Sequence, residues 1–356
     1  MSKIEFINYA LFNIDVNKQL ALRVLVDNDV SDFNDFSATI IKELLSSSRS
    51  KQYKFTDDNE LVASHIISIV KFNSQEPSEE SENSWESRTA SIADKLLSEE
   101  TSAQADIEHL NQTITKGSLL IIHLKEDDIN KFIIIKIDQG DFIDEENGKL
   151  RRGLPVSKQR LQKSFLATIS DDGIVMDVLL ADSGKAIRKY WWKGFLSTQE
   201  LVSAEVNTRI AFNAIDNFLR REVKKESDGD YYYMRNDVIS YFRNNENFVY
   251  ADLVDRLGSH LVESEKLKQS FPKLIDKLKG LPTKDGAKFD TQFEMESSVI
   301  KAKLKSTIIL DEKLELRING DIPNIKKKII PQKDNDGKYI KIYTDAGYKA
   351  FGGEDS

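Results

Sequence analysis

The chain of 356 residues contains no cysteine. Disulfides, thiolate zinc sites and cysteine nucleophiles are thereby excluded, and the composition suits a reducing compartment. Histidine is scarce: only His65, His109, His123 and His260 are present, and no two stand four residues apart as a helical metal pair would. His65 falls on an apolar helix face and His123 inside a strand, so both read as packed structural side chains. Long apolar runs are missing as well. The longest candidate, "FIIIKI", is interrupted by lysine and falls short of the ~20 residues that cross a bilayer. The opening "MSKIEFINYALFNID" lacks a basic start followed by an apolar core, so no signal peptide is expected.

Catalytic motifs are also absent. There is no phosphate loop, no GxGxxG after a strand and no GxSxG elbow. Acids are plentiful, but "DGD" at Asp228–Asp230 reads as a solvated loop, and no compact Asp…Glu-x-Lys run suggests a metal-dependent nuclease. The sequence supports no catalytic residues, no metal and no cofactor.

What is there describes a soluble globular protein of two or three domains, with 40% hydrophobic and 31% charged residues. Net charge is −8, which argues against a uniformly basic nucleic-acid binder. The acids are concentrated, however. Ten lie between Glu76 and Glu108 against Arg88 and Lys95, so that segment alone carries −8 and the remainder is neutral. Local basic patches are therefore compatible with the whole.

Periodicity predicts an α+β fold. "QLALRVLVD" alternates Leu20, Leu22, Val24 and Val26 as a half-buried strand, and "NDFSATIIKELLSSS" and "DDNELVASHIISIVKF" read as helices. The polar, acidic stretch 73–84 reads as a mobile loop within an acidic segment 73–108, with a helix from about Trp85 to Leu97. "LLIIHLKE" and "KFIIIKID" read as a hairpin closed by Asp127–Asn130, and "SFLATIS" and "IVMDVLL" as a second across Asp171–Gly173. The expected N-terminal domain, residues 1–196, is an antiparallel sheet with helices on one face. Residues 197–356 form a helical domain ending in a β-hairpin. Its long first helix carries Val202, Val206, Ile210, Ala214 and Phe218 four apart, a stripe that fits packing within the chain or across the two-fold axis of a homodimer. "NDVISYFRNNENFVYADLVDRL" reads as an ordinary helical hairpin, because Asp252 and Asp255 would face phosphates badly.

Two basic stretches stand out. "GKLRRGLPVSKQRLQK" holds Lys149, Arg151, Arg152, Lys158, Arg160 and Lys163 without an acid, and "IKKK" adds Lys326, Lys327 and Lys328. Neutralised phosphates release counterions, which drives sequence-tolerant binding to duplex DNA. Both stretches read equally as solvated loops. "GKAIRKYWWKG" interleaves Lys185, Arg188, Lys189 and Lys193 with aromatics, and its tryptophans read as core anchors.

Several segments resemble the bacterial 37-kilodalton nucleoid-associated (NdpA-like) family. They are "ESEKLKQSFPKLIDKL" with Ser270-Phe271-Pro272, "FDTQFEM", and "LELRINGDIPNIKKKI" with Ile318, Gly320, Pro323, Asn324, Ile325 and Lys326 in order. "YWWKGFLSTQELVSAEVNTRIAFNAIDNFL", "GSLLIIHLKEDDINKFIIIKID" with His123, and the opening strands are similar too. The acidic 73–108 region and the tail "KYIKIYTDAGYKAFGGEDS" depart from the family pattern. The resemblance implies a cytoplasmic, nucleoid-associated DNA-binding protein without established catalytic residues, and it carries over no residue-level DNA site. Two rival expectations are recruitment to the nucleoid by DNA-processing proteins, which the net charge of −8 favours, and a nuclease-type phage-defence effector.

Overall fold

The computed structural model describes residues 3–25, 31–45, 50–73, 79–107, 109, 114, 116–143, 149–154, 161–284 and 288–352. The chain divides into two units, Met1–Ser203 with Asp290–Phe293, and Ala204–Phe289 with Glu294–Ser356.

The first unit contains β1 (Ile4–Asp15), β2 (Leu20–Val24), α1 (Ser31–Leu45), β3 (Lys51–Phe55), α2 (Leu61–Asn73) and α3 (Glu79–Ile107). It continues with β4 (Gly117–Glu126), β5 (Ile129–Asp138), β6 (Gly140–Ile143), β7 (Leu150–Gly153), β8 (Leu161–Ile169), β9 (Val175–Asp182), a π-helical turn at Tyr190–Phe195 and β10 (Thr198–Glu200). Eight of these strands form one antiparallel sheet in the order β10-β3-β9-β8-β5-β4-β1-β2, while β6 and β7 form a two-stranded ribbon. The expected α+β class is therefore present.

Helices cover both faces of this sheet, not one. On one side Phe12, Leu119, Ile121, Phe132, Ile134 and Phe165 pack with α2, α3 and the π-turn. On the other, Leu120, Ile122, Ile133 and Ile135 pack with Ile40 and Ile41 of α1. The cause lies in β4 and β5, whose runs "LLII" and "FIII" are apolar at every position and so need cover on both faces. Each fully buried isoleucine here contributes roughly 1.5–3 kcal/mol.

Their connection is a two-residue turn, Asp127–Asp128, with φ of 49° and 65°. That is the primed geometry matched to strand twist, which aspartate tolerates. The hairpin link is thus shorter than expected, since Ile129 and Asn130 already pair with Glu126 and Lys125.

The acidic segment differs most from expectation: residues 79–107 are one continuous helix. Glutamate is a good helix former, and acids in a first turn complement the helix dipole. Trp85, Thr89, Ile92, Ala93 and Leu96 supply the buried stripe of α3. Edge strand β2 keeps only part of the expected face inside: Val24 packs against the cluster beside α1, and Val26 lies outside the described residues. Leu20 and Leu22 are 46% and 55% exposed, whereas the Arg23 guanidinium lies 5.8 Å from the Phe12 ring centroid. The π-turn brings the backbone close to α3: a Cβ on Gly194 would lie 2.2 Å from Glu99 Oε2.

In the second unit lie α4 (Ala204–Glu222), α5 (Asp228–Asn244), β11 (Asn247–Val249), α6 (Tyr250–Gly258) and α7 (Glu265–Lys279). After β12 (Gln292–Glu294) come β13 (Lys305–Asp311), β14 (Leu314–Asn319), the single turn α8 (Ile325–Lys328), β15 (Ile329–Lys333), β16 (Lys338–Ile342) and α9 (Asp345–Ala350). The expected hairpin is β13–β14, and the tail forms a second one, β15–β16.

Helix α4 buries Asn207, Thr208, Ala211, Phe212, Ile215, Asp216, Phe218 and Leu219. Of the expected stripe only Phe218 is buried; Val206 is 38% exposed. Polar residues that read as an outer face are inside because they have partners. Thr208 Oγ1 accepts from the Glu296 amide at 3.0 Å, and Asp216 Oδ1 lies 2.6 Å from Arg235 Nε. Arg235 also donates to the Lys303 carbonyl at 2.9 Å and the Lys305 carbonyl at 3.1 Å. Asn236 bonds both ways with the Ile322 backbone, at 2.8 and 3.1 Å. Helix α5 thereby fixes both ends of the β13–β14 hairpin.

Candidate nucleic-acid interface

One end of the sheet carries a buried polar row. Lys136 of β5 stands opposite Lys163 of β8, and Lys163 stands opposite Asp182 of β9. Glu100 of α3 forms an ion pair with Lys136, both essentially inaccessible. Lys163 Nζ lies 3.1 Å from Asp182 Oδ2 and 5.6 Å from the Tyr190 ring centroid. Burial, reinforced by Glu100 and Asp182, pushes the Tyr190 phenol well above its usual range, so its hydroxyl donates to Glu100 at 3.4 Å. Two cations and two carboxylates balance, as buried charges must.

This row marks where two basic segments leave the sheet. The link from β5 to β8 starts after Asp138 and contains the β6–β7 ribbon. Arg151 and Arg152 are strand residues of β7, opposite Phe142 and Asp141, and Lys149 just before them is exposed. Lys158 and Arg160 lie outside the described residues. The segment after β9 leaves from Asp182, beside the same row. It carries Lys185, Arg188, Lys189 and Lys193, all exposed. Its tryptophans pack as expected: Trp191 is fully buried 4.9 Å from the Phe195 ring, and Trp192 lies 5.7 Å from Tyr53.

Among the candidate contacts, Lys163 is withdrawn from the surface at 8% exposure. In the second unit, Lys326 lies 3.0 Å from Glu263, donates to the Leu261 carbonyl at 3.0 Å and sits 4.6 Å from the Tyr233 centroid. Lys327 and Lys328 are exposed. Among the candidates whose side chains are described, Lys149, Lys327 and Lys328 are exposed, as are the four cations of 185–193. Their interleaving with aromatics was the available signal, but sequence alone does not separate buried rings from exposed cations.

His65 and His123 occupy structural positions, as expected. His123 is fully buried; its Nε2–H donates to Asn130 Oδ1 and its Nδ1 accepts from Asn73 Nδ2, both at 3.0 Å. Burial lowers its pKa to about 4. His65 Nδ1 lies 3.2 Å from Arg88, and burial and that cation depress its pKa.

Asp230, expected in a solvated loop, is fully buried in the first turn of α5. Burial favours its neutral form, but the Glu263 amide at 3.0 Å, His260 at 2.9 Å, Ser227 and the Ser264 amide hold its pKa down to about 2. These bonds tie α5 to the approach to α7. Among the described residues no group of three or more His, Asp or Glu is placed to hold a metal ion, and no helix is long and apolar enough to cross a membrane.

No curated protein matches the chain. A family model described as nucleoid-associated protein YejK matches residues 41–342, which takes in most of both units, the sheet-end row and both C-terminal hairpins. The chain belongs to the nucleoid-associated protein YejK family.

Proposed function

We propose that this nucleoid-associated protein is a non-enzymatic, sequence-tolerant binder of duplex DNA in the bacterial cytoplasm. Its main contact would be the basic end of the first unit's sheet: Lys149, Arg151, Arg152, Lys158 and Arg160, with Lys185, Arg188, Lys189 and Lys193. Lys327 and Lys328 add a further contact. The observation that carries this reading is the exit of both basic segments beside the paired Lys163 and Asp182. A two-stranded ribbon such as β6–β7 is also of a size the major groove admits.

Charge reversal at Arg151, Arg152 and Arg160 tests it by titration on random-sequence duplex. Weaker binding and a salt slope flatter by about 0.9 per lost phosphate contact are expected. An unchanged slope would remove the ribbon from the interface. The net charge of −8 favours a second reading, recruitment by DNA-processing proteins. Purified protein that fails to shift duplex even at low salt decides for it.

A further inference from the structure

From Ile325 to Phe351 the chain carries seven lysines against three aspartates, in a protein of net charge −8. Most of this segment is the β15–β16 ribbon, and every residue of β16 is exposed. Strand alternation puts Tyr339 and Lys341 on one face. Directly opposite them, and so on the same face, are Gln332 and Ile330. The Tyr339 hydroxyl donates to Gln332 Oε1 at 3.0 Å, which agrees with that placement. Tyr343 extends the ladder by one step, its amide donating to the Lys328 carbonyl at 3.0 Å.

One ribbon face therefore presents Tyr339, Lys341 and Tyr343 with Lys328 across from the last. Tyr339 and Tyr343 are 46% and 49% exposed, and the Lys341 ammonium lies 4.9 Å from the Tyr343 ring centroid. A groove also runs between the two hairpins, lined by Leu310, Leu314 and Tyr339 and, from the opposite face of the ribbon, by Pro331, Lys333 and Lys338. Of the three aspartates, Asp334 is engaged in the ribbon's own turn, accepting from the Asp336 and Gly337 amides at 2.9 and 3.2 Å.

We infer that this face is a binding site for single-stranded nucleic acid. Exposed aromatic rings alternating with cations offer what an unpaired strand needs: a surface for the open face of a base and a charge for the adjacent phosphate. Duplex DNA keeps its base faces stacked on one another, so it would use the lysines and leave the rings idle. The site belongs to the second unit, whereas the sheet-end residues belong to the first. Tyr343 and the aromatic Tyr348 and Phe351 lie beyond the residues that the family model matches.

The test is fluorescence anisotropy of the full chain with a labelled oligothymidylate and, separately, a random-sequence duplex of equal length. Tyr339→Ala and Tyr343→Ala should each weaken oligothymidylate binding about tenfold, while Tyr→Phe at either position retains it. Lys341→Gln should flatten the single-strand salt slope by about 0.7. Duplex affinity should change less than twofold in the tyrosine variants. Both tyrosines are half exposed, so circular dichroism of the alanine variants should match the parent. Alanine variants that bind oligothymidylate as the parent does would overturn the inference. So would a parent that is dimeric by light scattering, becomes monomeric on Tyr339→Ala and shows no affinity for the oligonucleotide.

Discussion

Lys163 Nζ lies 3.1 Å from Asp182 Oδ2, with the two side chains 9% and 4% exposed. One of six cations in the most basic stretch of the chain is therefore an internal ion pair across β8 and β9. Asp182 also accepts from the Gly184 amide at 2.8 Å, so the pair fixes the exit of the segment carrying Lys185–Lys193. Removing one member of a buried pair leaves an uncompensated charge, which costs about 3 kcal/mol. Lys163→Met should lower the stability of the first unit by that order and leave the duplex affinity of the folded protein within twofold. The chain's three tryptophans, Trp85, Trp191 and Trp192, all lie in the first unit, so denaturant titration followed by tryptophan emission reads this unit alone. A variant with parental stability and several-fold weaker DNA binding would place Lys163 at the interface instead.

His123 gives the first unit a pH dependence. Burial lowers its pKa from 6.5 to about 4. Between those values the unfolded chain binds a proton that the folded chain does not, so stability falls as pH falls. From pH 7.5 to pH 5 the loss is about 2 kcal/mol. Tryptophan-detected denaturation at the two pH values should show that loss in the parent, and His123→Gln should reduce the difference by a similar amount. A variant with an unchanged pH difference would assign the slope to other groups.

Much of this architecture is legible in the residues. The runs "LLII" and "FIII" announce the central hairpin, and the burial of Trp191 follows from an aromatic cluster beside an apolar strand. The same runs require cover on both faces, a consequence that alternation in other strands obscures. Long-range pairing is what the sequence does not display. Lys163 is one cation among six until sheet register sets Asp182 against it. Thr208 and Asp216 read as the wet side of α4 until the Glu296 amide and Arg235 supply partners. The acids of 79–107 have loop-like composition, yet Trp85, Ile92 and Leu96 fall at helical spacing within it. At the surface, composition identifies cations but not which of them a neighbouring carboxylate holds, as Glu263 holds Lys326.

Asp230 should make the second unit sensitive to acid in a lower window. Its pKa falls from 3.8 to about 2 because its hydrogen bonds outweigh the effect of burial. A depressed carboxyl stabilises above its unfolded value, and that stability is lost as pH drops from 3.8 through 2. The contribution is about 2 kcal/mol at neutral pH. Asp230→Asn should destabilise the second unit by that order at pH 7. Hydrogen exchange read by mass spectrometry should show faster exchange in α5, α6 and α7, with peptides of the first unit unaffected. Equal exchange in parent and variant would remove Asp230 from the framework of this unit.

Gly320 tests how the β13–β14 hairpin is fastened. Its φ is +110°, a conformation that side chains rarely adopt, and a Cβ there would lie 1.9 Å from Arg243 Nη1. Arg243 in turn lies 2.9 Å from Asp321 Oδ1. Gly320→Ala should therefore add backbone strain and displace the guanidinium from its partner, together costing about 2 kcal/mol. The two contributions are separable. In an Arg243→Ala background the clash is gone and only the strain is left, so the same glycine substitution should cost about 1 kcal/mol. Thermal unfolding followed by far-ultraviolet circular dichroism on the four proteins gives the coupling directly. Strictly additive losses would mean that Arg243 yields without cost, leaving backbone conformation as the sole reason for glycine at this position.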